Sequence, residues 1–332
     1  MANEQRGAPT TVIYHADCLD GFGAAYAAAC QLDPSSHFRP MHHGQPWEMA
    51  EIAGHRVFIL DFSFPREILE SMAAIAASVT QIDHHGTARK PWADLLTCDG
   101  NGLESYQHDK LPLMLIFDLN KSGARLGWEY FHPGKPLPLA LQHIEDQDLW
   151  RFARPGTRAF CHALRLQPFD LAHWSALLAE IETTESARYG EMLLEGRAIE
   201  HFFNKEIDLL ANSHLVMPAR LRGEPVDVLQ AVRHGQPVIN SENQSWHALS
   251  GVAINANGLF ASELGNRLAE KTGGFALIWQ LAGDGDAKVS LRSKGSLDVA
   301  RIASRYNGGG HPNAAGFRLP LAQFVTEILG QP

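Results

Sequence analysis

The 332-residue chain holds only four cysteines, Cys18, Cys30, Cys98 and Cys161, and no two of them stand in a CxxC spacing. That excludes a zinc ribbon and a redox dithiol, and thiols so far apart do not form the framework of a small disulfide-stapled domain. A zinc nucleobase deaminase, which needs a PCxxC ligand pair, is excluded on the same ground. Positive charge is also scarce. Against 37 Asp and Glu there are 28 Lys and Arg, a formal charge of −9. Affinity for long DNA or RNA comes from many cationic contacts to phosphate, so bulk binding of long nucleic acid is not expected. No stretch approaches the roughly 18 consecutive apolar residues of a membrane helix. Met1 to Thr10 is polar and lacks the apolar centre of a signal peptide. No repeat or low-complexity tract is visible. Ser63 and Ser122 lie outside any nucleophile-elbow pattern, so a covalent serine mechanism is set aside. The expectation is a soluble cytoplasmic protein.

What the chain does have is 17 histidines and a globular composition, 45% hydrophobic and 20% charged. Its length suits two domains. In the first half, short apolar runs alternate with helical patterns. TVIY (11–14) precedes the small-residue pattern GFGAAYAAACQL. RVFILDF (56–62) precedes PREILESMAAIAAS, whose proline fits a first helical turn. VTQID (79–83) is a third strand candidate and 114–117 a fourth. This alternation predicts an α/β domain with a buried, mainly parallel sheet covered on both faces. PLALQHIEDQDLW (138–150) reads as a helix, and 171 to about 210 as one or two helices joining the halves. Beyond Pro218 the texture turns strand-like in VDVLQAV, ALSGVAI, FALIWQL and AKVSLRS, with one helix at 261–271 and a last one near 321–329. The predicted domains are 10–170, a helical connector 171–213, and a smaller α/β domain 214–330.

The chemistry gathers where the strands stop, which is where open α/β sheets build their sites. His15, Asp17 and Asp20 follow the first strand, Asp61 the second, and Asp83, His84 and His85 end the third. Asp146 and Asp148 form a fourth cluster in IEDQDLW. Imidazole with carboxylate suits Mn2+, Mg2+ or a related divalent ion. A lone aspartate after a strand is more often a turn or cap residue, and His37, His42, His43 and His55 read as surface or core. Three strand-end clusters in one half are a different matter, because adjacent strands would bring five to seven ligands to one sheet edge, enough for two metals. Near the other end stand Gly308, Gly309, Gly310 and His311, followed by PNAAG. Consecutive glycines let backbone N–H groups approach an anion. Arg292 offers a bidentate phosphate donor; a solvent-facing strand arginine is the plainer reading. Trp150 and Tyr306 read as packing aromatics before base-stacking ones.

Taken in order, HADCLDG, LDFS, DHH at 83–85, IEDQDLW and GGGHPNAAG resemble the motifs of the DHH phosphoesterase superfamily with its GGGH-type C-terminal domain, the nanoRNase-like oligoribonucleases included. The resemblance spans His15 to Gly316. It implies two domains with an active-site cleft between them and two divalent ions, Mn2+ first, with Mg2+ or Co2+ as alternatives. By this likeness His15 and Asp17 bind one metal, Asp20 and His84 the other, Asp61 bridges, and Asp146 completes the second site. The order of Asp17 and Asp20 stays open, because HADCLDG carries one residue more between its aspartates than the common HxDxDG. Asp148 stays an alternative to Asp146. Asp83 would orient a histidine, His85 would face phosphate, and His311, Arg292 and Gly308 to Gly310 would bind substrate, with His85, His311 and Arg292 assisting catalysis. The implied reaction is attack of a metal-activated water on a phosphate ester of a short oligonucleotide or small nucleotide. A single-strand exonuclease of the RecJ kind and a silent nucleotide-binding protein are the alternatives. No membrane partner is expected, and a homodimer is left open.

Overall fold

Thr10–His15 (β1) is β-branched, apolar and buried almost to its end, and it lies inside a seven-stranded sheet. The other strands are His37–Met41 (β2), Arg56–Leu60 (β3), Ser78–Asp83 (β4), Thr97–Cys98 (β5), Glu104–Gln107 (β6) and Leu113–Phe117 (β7). Their order is β2-β1-β3-β4-β7-β6-β5. Pairing is parallel from β2 through β7, and β6 and β5 add an antiparallel edge. The computed structural model describes residues 7–42, 44–213, 215–241 and 244–329. His43 and the first six residues, which figured in the sequence reading, lie outside them.

Alternate residues of the parallel strands feed two cores. Val12, Leu60 and Ile82 pack with Phe22, Ala24, Leu141 and Ile144 on one face. Ile13, Ile59 and Leu115 pack with Leu69, Met72 and Trp92 on the other. The sheet is therefore covered on both sides, as continuous apolar strands require. Two elements of this sheet gave no sequence signal. HFRPM in β2 contains a proline and is half-exposed, which only an edge strand tolerates. The β5–β6 hairpin is too short and exposed to show a pattern.

The helix Leu139–Asp148 buries His143, which is 1% exposed, against the Phe160 ring at 4.7 Å. Its two ring nitrogens meet Thr157 Oγ1 and Tyr189 Oη, each at 2.9 Å. Burial, aided by Arg154 and opposed by Asp146, lowers this imidazole to about 4. The folded pKa lies below the unfolded value, so the unfolded chain binds the extra proton. Stability is full above pH 6.5 and falls as pH drops toward 4, by on the order of 3 kcal/mol. Urea midpoints of wild type and His143→Gln, compared from pH 7 to 4, should converge on acidification; parallel curves would contradict this.

The chain divides into two units, Met1–His201 and Phe202–Pro332, and the division falls inside the helix Ala187–Ala211. The second unit has its own sheet of Met217–Pro225 (β8), Val238–Ser241 (β9), Gln244–Asn255 (β10), Phe275–Leu281 (β11), Asp286–Ser293 (β12), Gly309–His311 (β13) and Ala314–Pro320 (β14). The order is β13-β14-β12-β11-β10-β8, with β9 also on β10 and only β10–β11 parallel. Its core is built from Leu221, Phe275, Leu277, Val289, Leu291 and Phe317. VDVLQAV, expected as a strand, is instead the start of the helix Val228–Arg233. Asp227 decides this: its carboxylate accepts the Leu229 and Gln230 N–H groups at 2.8 and 3.1 Å, capping the helix. No helix among the described residues is long and apolar enough to cross a membrane.

Candidate metal centre

Because β1, β3 and β4 are neighbours, their C-terminal ends deliver His15, Asp61 and the Asp83–His85 run to one edge. Asp61 is 2% exposed and takes a left-handed backbone, φ 51°, that turns its carboxylate under the strand ends. Oδ1 lies 3.0 Å from His84 Nε2 and Oδ2 lies 3.6 Å from His15 Nδ1. Asp83 Oδ1 accepts the His84 and His85 N–H groups at 2.7 and 3.3 Å and His85 Nδ1 at 2.7 Å. Asp83 thereby fixes the histidine pair.

Asp20 enters from the first turn of the helix Leu19–Ala29. Its oxygens accept the Gly123 and Ala124 N–H groups at 2.6 and 2.9 Å, the open start of the helix Gly123–Phe131. Oδ2 also lies 3.5 Å from His84 Nε2. A side chain at Gly123 has no room, since a Cβ there would sit 2.6 Å from Asp61 Cβ. Asp148, the last residue of its helix, brings Oδ2 to 3.7 Å from His84 Nε2; that oxygen is buried and takes no hydrogen bond.

Two positions depart from the expected ligand set, each for a local reason. Asp17, at φ 54°, is turned outward, its side chain 82% exposed and 3.3 Å from His42 Nε2. The residue extra to the family spacing puts Cys18, not Asp17, beside His15 and Asp61. Asp146 faces the loop that follows its helix. Its carboxylate accepts Ala153 N at 2.8 Å, Arg154 N at 3.0 Å and Thr157 Oγ1 at 2.6 Å. Of the two aspartates, Asp148 is therefore the one at the centre. Asp146 clamps a loop in which Trp150 and Phe152 both hold left-handed backbone, φ 55° and 47°. Asp146→Asn should lower thermal stability, by roughly 2–4 kcal/mol for weakened charge-assisted bonds, and keep full metal content. Asp148→Asn should do the reverse, which metal analysis and a melting curve on each variant will separate.

In the second unit the glycine run is part of a hairpin. At Gly310, φ 139°, an added Cβ would lie 2.5 Å from Ala314 O, so backbone contact between β13 and β14 demands glycine. His311 ends β13, half-buried. Arg292 is not solvent-facing: it packs on the helix Ala261–Thr272 and donates to Ser262 Oγ at 2.9 Å and Leu291 O at 2.8 Å. Burial lowers its guanidinium to about 10. Tyr306 is core, stacked on Phe317 at 4.5 Å, whereas Trp150 is 38% exposed.

The charges show what the centre accommodates. At Asp61, burial opposes ionisation, but hydrogen bonds from His15 and His84 prevail and hold the carboxyl well below its usual range. Burial and then the Asp148 and Asp61 charges push Asp20 well above its usual value. Burial disfavours a charged His84, yet Asp148, Asp61 and Asp20 drive it well above the usual histidine range. His15 rises to about 11 against its burial, through hydrogen bonds with Asp61 and Cys18. A divalent cation would neutralise this crowd of carboxylates and displace the histidine protons. The donors fit one: Asp20, His84 and Asp148 form one set with ligand atoms within 4.8 Å of each other, and His15, Cys18 and Asp61 another. Cys18 was missed as a donor because thiols were weighed only for CxxC spacing.

Comparison with known proteins adds the second unit's identity. Residues 249–331 match the DHHA1 domain. A protein of Acanthamoeba polyphaga mimivirus, R106, is 28% identical over 324 residues; the match covers 92% of this chain and 66% of that protein, just under two thirds of its length. A structure from Helicobacter pylori G27 is 14% identical with TM-score 0.40, covering 94% of this chain and 93% of that one. The pGpG-specific phosphodiesterase PggH of Vibrio cholerae is 12% identical with TM-score 0.36, covering 95% and 94%. RecJ of Thermus thermophilus in complex with Mn2+ is 14% identical with TM-score 0.43, covering 96% of this chain and 50% of that one. The second unit therefore carries a DHHA1 domain, downstream of an ordered HADCLDG, LDFS and DHH set that resembles the motifs of the DHH superfamily.

Proposed function

We propose that the protein is a metal-dependent phosphoesterase acting on short oligonucleotides or small nucleotides. The observation that carries this is the convergence of Asp20, Asp61, His84 and Asp148, from four separate segments, on one buried edge of a parallel sheet. Bound divalent ions, Mn2+ first among them, supply an acidified water and offset phosphate charge. His15, Asp20, Asp61, His84 and Asp148 hold them, with Asp61 reaching both donor sets. Asp20 and Asp61 are pre-aligned by the helix start at Gly123 and by left-handed backbone, so little reorganisation is needed on binding. Asp83 accepts from His85 Nδ1 and so fixes the orientation of the ring, and His85 is assigned to the substrate phosphate. Within the second unit, the β13 backbone and His311 are assigned to substrate binding. The charge of −9 supports a short substrate over a long strand.

A hydrolysis panel with Mn2+ tests the reading. It compares di- to pentanucleotides, 3′-phosphoadenosine 5′-phosphate, cyclic dinucleotides and long single strands. Fast turnover of the short substrates is expected. A preference for long strands would remove the substrate assignment. Full metal loading without turnover of any member would make the protein a binding module.

A further inference from the structure

We infer that Cys18 is a metal ligand, completing with His15 and Asp61 a nitrogen–sulfur–oxygen site beside the all-nitrogen-and-oxygen site of Asp20, His84 and Asp148. The two metal positions then differ in kind: the first takes a borderline ion such as Zn2+, Co2+ or Fe2+, and the second a hard one such as Mn2+ or Mg2+. This rests on the metal-dependent reading above and adds the chemistry of one of its sites.

The argument begins with the backbone. HADCLDG must pass from β1 into the helix Leu19–Ala29 in three residues. Asp17 takes the left-handed turn and is spent on the surface, next to His42. Cys18 follows in extended conformation, φ −122° and ψ 133°, as the residue before the helix. That conformation returns its side chain to the interior, where Sγ, a His15 ring nitrogen and an Asp61 oxygen lie within 4.8 Å of one another. The carboxylate expected at this place is absent from it, and sulfur stands there instead. Cys30 and Cys98 are exposed and Cys161 is buried elsewhere, so Cys18 is the thiol that shares a site with other donors. Thiolate selects softer ions than carboxylate does, and Asp61 of this set also lies 3.0 Å from His84 of the other, so the unlike sites would be neighbours. On binding, the thiol loses its proton to the buffer as the sulfur–metal bond forms, so one proton is released and no redox partner is needed.

The test uses the full-length protein, stripped with chelator and reloaded anaerobically with Co2+. Cys30→Ser and Cys98→Ser are present throughout to remove exposed thiols. The wild-type Cys18 protein should show a thiolate-to-cobalt charge-transfer band in the near ultraviolet. Cys18→Ser and Cys18→Asp should lose that band, keep the visible d–d bands of cobalt at the other site, and keep the wild-type circular dichroism. Zn2+ affinity at the first site should fall at least about 100-fold in Cys18→Ser, since even outer partners of a ligand are worth that much. Cys18→Asp should recover Mn2+ binding in competition with Zn2+. Full cobalt loading without a charge-transfer band would overturn the thiolate assignment and leave the phosphoesterase reading intact. Failure to bind cobalt at any site would overturn both.

Discussion

Asp61→Asn is expected to lose at least about a thousandfold in kcat/KM on any phosphodiester that the wild type hydrolyses, a loss of about 4 kcal/mol of transition-state stabilisation. Asp61 is a member of one donor set and lies 3.0 Å from His84 of the other, so its removal disturbs both at once. Asparagine keeps the shape and the hydrogen-bonding reach but not the charge that gathers cations and histidine protons. It also tolerates the φ of 51° that this position imposes. Alanine does not: Asp61→Ala should show the same loss of activity and an added destabilisation of roughly 1–2 kcal/mol from left-handed strain. Steady-state rates and melting curves on both variants check this. Equal activity loss with unequal stability is the expected pattern, and an Asp61→Asn protein active within tenfold of wild type would remove Asp61 from the centre.

Much of this site was legible in the sequence because strand ends are a reliable place to look. TVIYH, RVFILD and VTQIDHH each end on a ligand type, and parallel neighbours must stop at the same edge. The direction of a side chain was not legible. One left-handed residue at Asp17 exchanged an aspartate for a cysteine, and no composition or spacing rule reports a φ angle. The choice between Asp146 and Asp148 turned on hydrogen bonds to Ala153, Arg154 and Thr157, up to 11 residues on, which a linear reading has no means to count. Arg292 stands at a position that pattern alone gives either face, and it turned inward because the helix Ala261–Thr272 covers that side of β12. VDVLQAV has the composition of a strand, and a single capping aspartate made it a helix. Errors of this kind come from local polar contacts overriding apolar pattern.

Divalent metal should be the largest single stabiliser of the first unit. Three of its buried or half-buried carboxylates, Asp20, Asp61 and Asp148, face one another around His84, and Asp20 is driven toward its neutral form by burial and then by the other two. Folding must therefore gather like charges at a protein-wide net of −9. A cation that binds only the folded centre reverses that cost. At a concentration 100 times its Kd, each bound ion contributes about 2.7 kcal/mol. For a unit of this size 1 kcal/mol moves Tm by roughly 2–4 °C, so two ions should raise Tm by roughly 10–20 °C over chelated protein. Potassium chloride at matched ionic strength should not reproduce the rise, because screening acts weakly on buried charge. Asp61→Asn and Asp148→Asn should shrink the metal-induced rise. The metal-free Tm of Asp148→Asn should match or exceed that of the wild type, since burial disfavours its charge, whereas Asp61→Asn should lower it by taking the carboxylate partner from His15 and His84. A wild-type Tm indifferent to Mn2+, Zn2+ and Co2+ alike would show that the cluster gathers its carboxylates for some other cation, or for none.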